Sequence, residues 1–259
     1  MHAEGGEGVE DGMMLKEKYL AIAVVLLLSA LMSSCIAYRP QVAEMPLIHE
    51  KGELQVNGSV GLSAPLGDAY VGTTASYGAT DWLAVQGHVN WNGYQGAYGQ
   101  AAVGAFKAWD HAVLEGFIGY GLGGNQWENE NTGRQFNAFY HLPYAQIEFG
   151  WAGIAKGHID IGVGVKSGCV IPNLVDRRPA SESQPEQITR YTSPMALLEP
   201  QFFFRAGGQH LKWTFNLGYS QLWGSGPNRE PFAGINAIYM PFTINMGITY
   251  DFNVFSKRQ

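Results

Sequence analysis

A stretch near the end of the chain alternates strictly between apolar and polar positions. From Thr243 to Phe252 the sequence reads TINMGITYDF, with Ile, Met, Ile, Tyr and Phe on one side and Thr, Asn, Gly, Thr and Asp on the other. A period of two residues is typical of a β-strand whose two faces meet different surroundings. A soluble barrel turns its apolar face inward, whereas a membrane barrel turns it outward. This stretch alone leaves both architectures open.

The same alternation recurs from residue 52 onward, for example in ELQVNGSVGLS, WLAVQGHVNW, HIDIGVGVK and LKWTFNLGYS. After the first 35 residues, no stretch has a convincing helical period. We therefore predict an all-β protein with about ten strands. The predicted strands lie near residues 53–64, 68–78, 82–92, 98–108, 112–122, 137–152, 157–168, 194–206, 210–222 and 235–252.

The connections between these strands alternate in length. Those after the second, fourth, sixth and eighth strands are tight (ATD, WDH, GIAK and GGQ), and most of the others are longer and polar, including a predicted loop at 169–193. Short turns at one end and longer loops at the other are the layout of a bacterial outer-membrane barrel. An even number of strands places both ends of the barrel on the periplasmic side and the 169–193 loop outside.

Charged side chains on the polar faces decide between the two architectures. Burial of an unpaired charge in an apolar interior costs several kcal/mol, so these groups are predicted to face a narrow polar lumen in which opposite charges neutralise one another. Aromatic residues near the strand ends suit the headgroup levels of a bilayer. We therefore predict an antiparallel up-and-down transmembrane β-barrel. The lumen charge network consists of Glu115, Glu148, Asp160, Lys166, Glu199, Arg205 and Lys212, and His158 and Asp251 are also predicted to face inward.

Composition and motifs narrow the functional classes. The 259 residues are 46% hydrophobic and 15% charged, with 34 glycines and a formal net charge of −6, so no basic face for nucleic acid is expected. A Gly-x-Ser-x-Gly elbow, a His-Glu-x-x-His helix and a Cys-x-x-Cys pair are all absent. We predict no catalytic residues, no metal site and no cofactor. His158 and Asp160 are interpreted as a structural ion pair on one inner face.

The N-terminal region has the layout of a lipoprotein signal peptide. Lys16 and Lys18 precede an apolar stretch from Tyr19 that ends in small residues directly before Cys35. We predict a signal peptide over 1–34, in which 1–12 precede the true start, and a covalent diacylglycerol on Cys35. Residues 35–51 form a lipid-anchored linker or a plug segment, 52–252 form the barrel, and 253–259 form a C-terminal tail.

These features together resemble one family, the barrel-forming outer-membrane lipoproteins of Bacteroidota. The resemblance is carried by Cys35, by MPLIHEKGE at 45–53, by Thr80-Asp81 and by the glycine-rich amphipathic strands. It implies location and fold rather than an activity. Surface export of such lipoproteins is associated with acidic residues after the lipidated cysteine, and CIAYRP has none. The resemblance therefore implies an anchor in the periplasmic leaflet and termini that face the periplasm.

Three functional hypotheses follow from the sequence. The preferred one is a structural or interaction module with a closed polar lumen and with outer-membrane lipid as its partner; the sequence names no protein partner. The first alternative is a small pore or solute-passage barrel, although about eight strands already fill with side chains and open channels need about 16. The second is a soluble, lipocalin-like lipoprotein that carries an apolar ligand inside.

Overall fold

The computed structural model describes residues 36–38, 45–64, 68–92, 96–180, 185–224, 238–239 and 241–252. The chain divides into two units, 1–34 and 35–259, and every described residue belongs to the second. The predicted signal peptide, Cys35 and the C-terminal tail therefore lie outside the described residues. Within these ranges, no helix is long and apolar enough to cross a membrane.

Nearly all of the described chain is β-strand. The strands are β1 (Ile36–Tyr38), β2 (Leu54–Ala64), β3 (Asp68–Gly78), β4 (Leu83–Trp91), β5 (Gly96–Ala108), β6 (Ala112–Asn129), β7 (Arg134–Gly153), β8 (Ile159–Arg178), β9 (Gln187–Tyr191), β10 (Met195–Gly207), β11 (Leu211–Tyr219), β12 (Gln221–Gly224), β13 (Ile238–Tyr239) and β14 (Phe242–Asp251).

Ten of these strands form a closed antiparallel ring. Each strand from β2 to β8 pairs with the next, β8 then pairs with β10, β10 with β11, β11 with β14, and β14 returns to β2. Two short strands extend the ladder, since β9 continues the pairing of β10 with β8 and β12 continues the pairing of β11 with β10. Closure leaves no open sheet edge among the ten. The predicted fold class and the predicted strand number are confirmed.

The two ends of the barrel differ. Short turns at 79–82, 109–111, 154–158 and 208–210 lie at one end, called here the turn end, and the opposite end is called the loop end. The turn at 154–158 is left-handed, with positive φ at Ala155 and Lys156 (53° and 65°). Gln55 pairs with Asp251, so the barrel begins and ends at the turn end, as its even strand number predicts.

Three strands are longer than predicted. β6 has 18 residues and β7 and β8 have 20 each, against 11 in β2. The predicted loop at 169–193 is wrong over most of its length, because β8 runs to Arg178 and β9 resumes at Gln187. A strand that crosses a bilayer needs about 9–11 residues, so the loop-end parts of β6, β7 and β8, together with β9, project past the barrel rim. We call them the projecting strands.

The outward face of the barrel is apolar and the inward face of most strands is polar. On β14, Ile244, Met246 and Ile248 are 44%, 58% and 40% exposed, whereas Thr243, Asn245 and Thr249 between them are at most 2% exposed. A soluble lipocalin would show the reverse, so that alternative is wrong. The tryptophans predicted at the strand ends all lie on the outside: Trp82, Trp91, Trp151, Trp213 and Trp223.

Inward glycines make room for tyrosine rings from neighbouring strands. Gly61, Gly119, Gly121 and Gly123 lie against the rings of Tyr70, Tyr144, Tyr98 and Tyr140, at the place where a Cβ atom would stand. Outward Gly58, by contrast, would meet nothing within 4 Å. The glycines of GYGLGGN (119–125) therefore permit close packing of tyrosine rings from the neighbouring strands.

Candidate functional site: the occupied lumen

The lumen contains part of the protein's own N-terminal region. Met45, Leu47 and Ile48 are 1%, 2% and 0% exposed, and Tyr38 is 1% exposed. Tyr38 and Met45–Ile48 are called here the luminal segment. Met45 lies against Gly164 of β8 and Leu47 against Gly150 of β7, where a Cβ atom on either glycine would stand about 3 Å from the incoming side chain. The sequence left linker and plug open, and these described residues lie where a plug would.

The luminal segment runs from the loop-end half of the barrel to the turn end. The Tyr38 hydroxyl donates to Glu199 Oε1 (2.8 Å), and its ring packs edge-on against Tyr140 (5.4 Å between centroids). Both partners lie in the loop-end halves of their strands. Ile48 instead lies against Gly78, the last residue of β3 at the turn end. The chain then enters β2 from the turn end.

Two charged side chains of the predicted network hold the backbone of this segment. The carboxylate of Glu115 accepts hydrogen bonds from the Leu47 N–H (3.0 Å) and the Ile48 N–H (2.8 Å). Arg205 Nη1 donates to the Pro46 carbonyl (3.5 Å). Buried backbone groups without partners cost free energy, and here barrel side chains replace the ladder of a sheet. These residues therefore bind a peptide as well as balancing charge.

Arg205 also belongs to an ion-pair cluster at the turn end. Asp160 Oδ2 lies 2.7 Å from Lys212 Nζ and 3.7 Å from Arg205 Nη1, while Asp160 Oδ1 accepts the Gly153 N–H (2.7 Å). All three charged side chains are buried. The predicted pair of His158 with Asp160 is wrong. His158 is exposed in the left-handed turn, and its Nδ1 lies 2.7 Å from the Gly207 carbonyl.

A second charge cluster lies higher in the bore. Lys166 Nζ is 3.8 Å from Glu199 Oε2 and 3.3 Å from Gln100 Oε1, and it stands over the ring of Tyr144, 4.9 Å from the centroid. Because Tyr38 donates to the same Glu199, this cluster is tied to the luminal segment. A fully buried lysine of this kind requires partners on several sides.

Glu148 completes the predicted set. It faces Glu115 across the β6–β7 ladder, and the Gln146 side chain donates to it. Like charges directly opposite each other destabilise a sheet unless neighbouring donors or cations compensate. The seven predicted network residues are thus all buried in the lumen. They form two ion-pair clusters, and Glu115 and Arg205 also bind the backbone of the luminal segment, an arrangement called here the clamp.

The loop-end half of the lumen is apolar, which the sequence did not predict. Tyr98 and Tyr140 stack (6.1 Å between centroids) above the charged clusters. The predicted polar lumen is therefore present only in part. The signal was in the chain, because the loop-end parts of β7, β8 and β10 carry apolar residues at inward as well as outward positions. The remaining members of this cluster include Phe136, Leu142, Val170, Leu174, Tyr191, Met195, Leu197 and Leu222.

A different wall of the lumen consists of neutral polar side chains. On β2, β3, β4, β11 and β14, amides and hydroxyls face inward and pair with one another. Examples are Asn57 with Thr249 (3.0 Å), Tyr70 with Thr243 (2.9 Å) and Thr74 with His88 (2.9 Å). These contacts join strands of this wall through their side chains.

Glu53 binds the backbone directly after the luminal segment, at the turn end of the barrel. Its Oε2 accepts the N–H groups of His49 (2.6 Å) and Glu50 (3.4 Å), and the side chain is buried. Burial raises the pKa of Glu53 to about 8, against an ordinary value of 4.5. The two N–H donors oppose this rise, and the nearby charge of Asp251 adds to it.

Chemically, the lumen is suited to holding a peptide. Within the described ranges, no group of three or more His, Cys, Asp or Glu side chains could hold a metal ion. Two grooves of about 1220 and 430 Å³ share Val71 and Trp91 in their linings.

A closed antiparallel barrel with an apolar outer belt and a partly polar interior is a membrane β-barrel of the outer-membrane type. No family model and no curated protein matches the chain. Among solved structures, it is similar to a KdgM porin (8% identity, TM-score 0.35, 77% of this chain and 99% of that one). It is also similar to the translocator domain of the autotransporter NalP from Neisseria meningitidis (9%, 0.31, 92% and 97%). A third similar structure is OmpT, an outer membrane protein of Vibrio cholerae (8%, 0.21, 77% and 96%).

Proposed function

We propose that this protein is an outer-membrane barrel closed by its own N-terminal segment, and that it serves as a structural or interaction module rather than as a hydrolase or an open pore. The observation that carries the proposal is the clamp, in which Glu115 and Arg205 bind the backbone of Leu47, Ile48 and Pro46 inside the bore. A peptide whose side chains at Tyr38, Met45, Leu47 and Ile48 are buried inside the bore takes up space that a solute would need.

The projecting strands supply the surface for interaction. At their tips, Arg134 forms a two-pronged pair with Asp176 (2.7 and 2.8 Å), and Arg178 joins the same carboxylate (3.2 Å). Arg177 pairs with Glu186 nearby. Charged, exposed strand ends that extend beyond the apolar belt are suited to contact with another molecule outside the membrane.

The experiment is a planar-bilayer recording on the purified, folded full chain. The wild type is expected to give no steady conductance. Glu115→Ala, which removes the acceptor of two segment N–H groups, is expected to give transient steps, whereas Glu50→Ala on the exposed end of the same stretch is not. Large, reproducible steps from the wild type would favour the pore alternative.

The pore alternative draws on one observation of its own. The wall formed by β2, β3, β4, β11 and β14 carries inward amides and hydroxyls, such as those of Asn57, Thr74 and Thr249. With the segment displaced, this wall would offer polar groups to a small solute.

Lipidation of Cys35 and membership of the Bacteroidota lipoprotein family both stay predictions. A lipid-anchored outer-membrane location is the proposal that fits the apolar belt and the sequence before Ile36.

A further inference from the structure

We infer that the chain is threaded through its own barrel, so that Ile36 marks the point at which the N-terminal stretch leaves the lumen on the loop side. This side is the one that carries the projecting strands and the 179–186 connection. The inference reverses the periplasmic side that the sequence predicts for the N-terminus of the mature chain, and it does not depend on whether the lumen conducts.

The first observation is the order of contacts along the segment. Ile48 contacts Gly78 at the turn end, Leu47 contacts Gly150, and Met45 contacts Gly164 farther up β8. Tyr38 lies higher still, with Glu199 and Tyr140. Contacts therefore climb from the turn end to the loop-end half as the residue number falls.

The second observation is the strand pairing at the upper end. β1 pairs in parallel with β13, with Ile36 opposite Ile238 and Tyr38 opposite Tyr239. β13 belongs to the connection between β12 and β14, and both of these strands have their connected ends at the loop end. The backbone at Ile36 is thus held by the loop side of the molecule.

The third observation is length. Ten residues separate Tyr38 from Ile48, and an extended chain covers about 3.3–3.6 Å per residue. The greatest possible reach of about 33–36 Å exceeds the apolar band of an outer-membrane barrel, which is about 25 Å tall, so these residues are long enough to cross it once. One pass through the bore uses this length, whereas a return to the turn end would need a second strand beside the first in a lumen already filled at Met45–Ile48.

The consequence concerns what the cell presents outside. A stretch attached before Ile36 would stand beside the projecting strands and share one interaction surface with them. A diacylglycerol on Cys35 would then enter the outer leaflet and not the periplasmic one.

The test is antibody access to an epitope tag in intact cells that express the full chain. One variant carries the tag between Cys35 and Ile36, a second between Pro179 and Ala180, and a third after Lys156 in the left-handed turn. The first two are expected to stain intact cells, and the third only permeabilised cells. Heat-modifiable migration on gels establishes that each variant is folded.

Staining of the first variant only after permeabilisation, with the other two behaving as expected, would overturn the inference. A second measurement avoids tags altogether. A benzoylphenylalanine at position 38 is expected to cross-link to peptides that contain Tyr140 or Glu199, and one at position 47 to peptides that contain Gly150. Cross-links from position 38 to turn-end peptides alone would also contradict threading.

Discussion

A single buried side chain, Arg205, contacts several different groups in the lumen. It is 1% exposed, lies 3.7 Å from Asp160, stacks on the Phe203 ring and reaches the Pro46 carbonyl. Removal of one partner from a buried, paired set leaves the others uncompensated, at about 3–5 kcal/mol. Arg205→Ala is therefore expected to lower the free energy of unfolding by that amount in urea titrations of the micelle-bound barrel.

The matched control is Arg177→Ala on the projecting strands. Arg177 pairs with Glu186, but the two side chains are 54% and 41% exposed, and such a pair contributes about 0–1 kcal/mol. Equal losses in the two variants would mean that Arg205 is not truly desolvated.

The buried carboxyl of Glu53 is expected to make the free energy of unfolding depend on pH. Because the pKa of this carboxyl is raised to about 8 in the fold, the folded state favours the protonated form. The contribution of Glu53 to stability is therefore greatest below about pH 4.5 and is lost as the pH rises toward about 8, by at most about 1.4 kcal/mol per pH unit. Glu53→Gln keeps an acceptor for the His49 N–H and is expected to flatten this decline.

The measurement is the difference in unfolding free energy between wild type and Glu53→Gln at pH 5 and at pH 8. The difference should shift in favour of the variant at the higher pH. The same shift in Glu50→Gln, whose side chain is exposed, would trace the effect to something other than burial.

Gly121 tests the contact between glycine and tyrosine. A Cβ atom on Gly121 would fall inside the space of the Tyr98 ring, so Gly121→Ala is expected to destabilise the barrel by about 1–3 kcal/mol. Outward Gly58→Ala, with open space around it, is the control and is expected to be close to neutral. Melting followed by circular dichroism compares the two, and similar melting temperatures would contradict the ring-over-glycine account.

At the scale of elements, the sequence predicts some strands better than others for a physical reason. β2, β4 and β14 have apolar outer faces and mostly polar inner faces, so the alternation marks the bounds of β2 and β4 and the end of β14 within a few residues. The predicted start of the last strand at 235 is wrong, because β14 begins at Phe242. β8 keeps pairing past the barrel rim, where inward Leu174 is apolar and outward Asn173 and Arg177 are polar. The period is then lost although the hydrogen-bonded ladder continues to Arg178.

The luminal segment is the element that periodicity could not find. Its backbone is held by the Glu115 carboxylate and the Arg205 guanidinium rather than by a neighbouring strand. A segment held in this way needs neither a period of two nor one of 3.6. The inward position of Glu115 and Arg205 could be predicted from the alternation of their strands. That these two side chains bind the luminal segment could not be predicted.

The 179–186 connection carries the prediction for orientation. The described residues at its two ends, Pro179 and Glu186, are exposed and lie at the tip of the projecting strands. A nonspecific protease added to intact cells is expected to cut here first, while the turn at Lys156 is cut only after lysis. Resistance of this connection in intact cells, with rapid cutting after lysis, would indicate the inverted arrangement.

At the scale of the whole molecule, the barrel presents two unlike halves. Its turn half holds ion pairs and the clamp, and its loop half holds an aromatic layer around Tyr38, Tyr98 and Tyr140. The predicted lipid anchor on Cys35 belongs to this scale, because it would decide how the barrel is tethered. Labelled palmitate is expected to enter the wild type and not Cys35→Ala; equal labelling of the two would exclude the anchor.

The clamp on Leu47 and Ile48 also constrains the order of assembly. These residues precede β2, and the ring is sealed where β14, the last strand, meets β2, the first. A barrel that closes around a segment already in place needs a lumen only wide enough for that segment, whatever is attached to the segment outside the barrel. If β14 pairs with β2 only after the luminal segment is bound, a folded domain fused before Ile36 would not have to pass through the closed barrel.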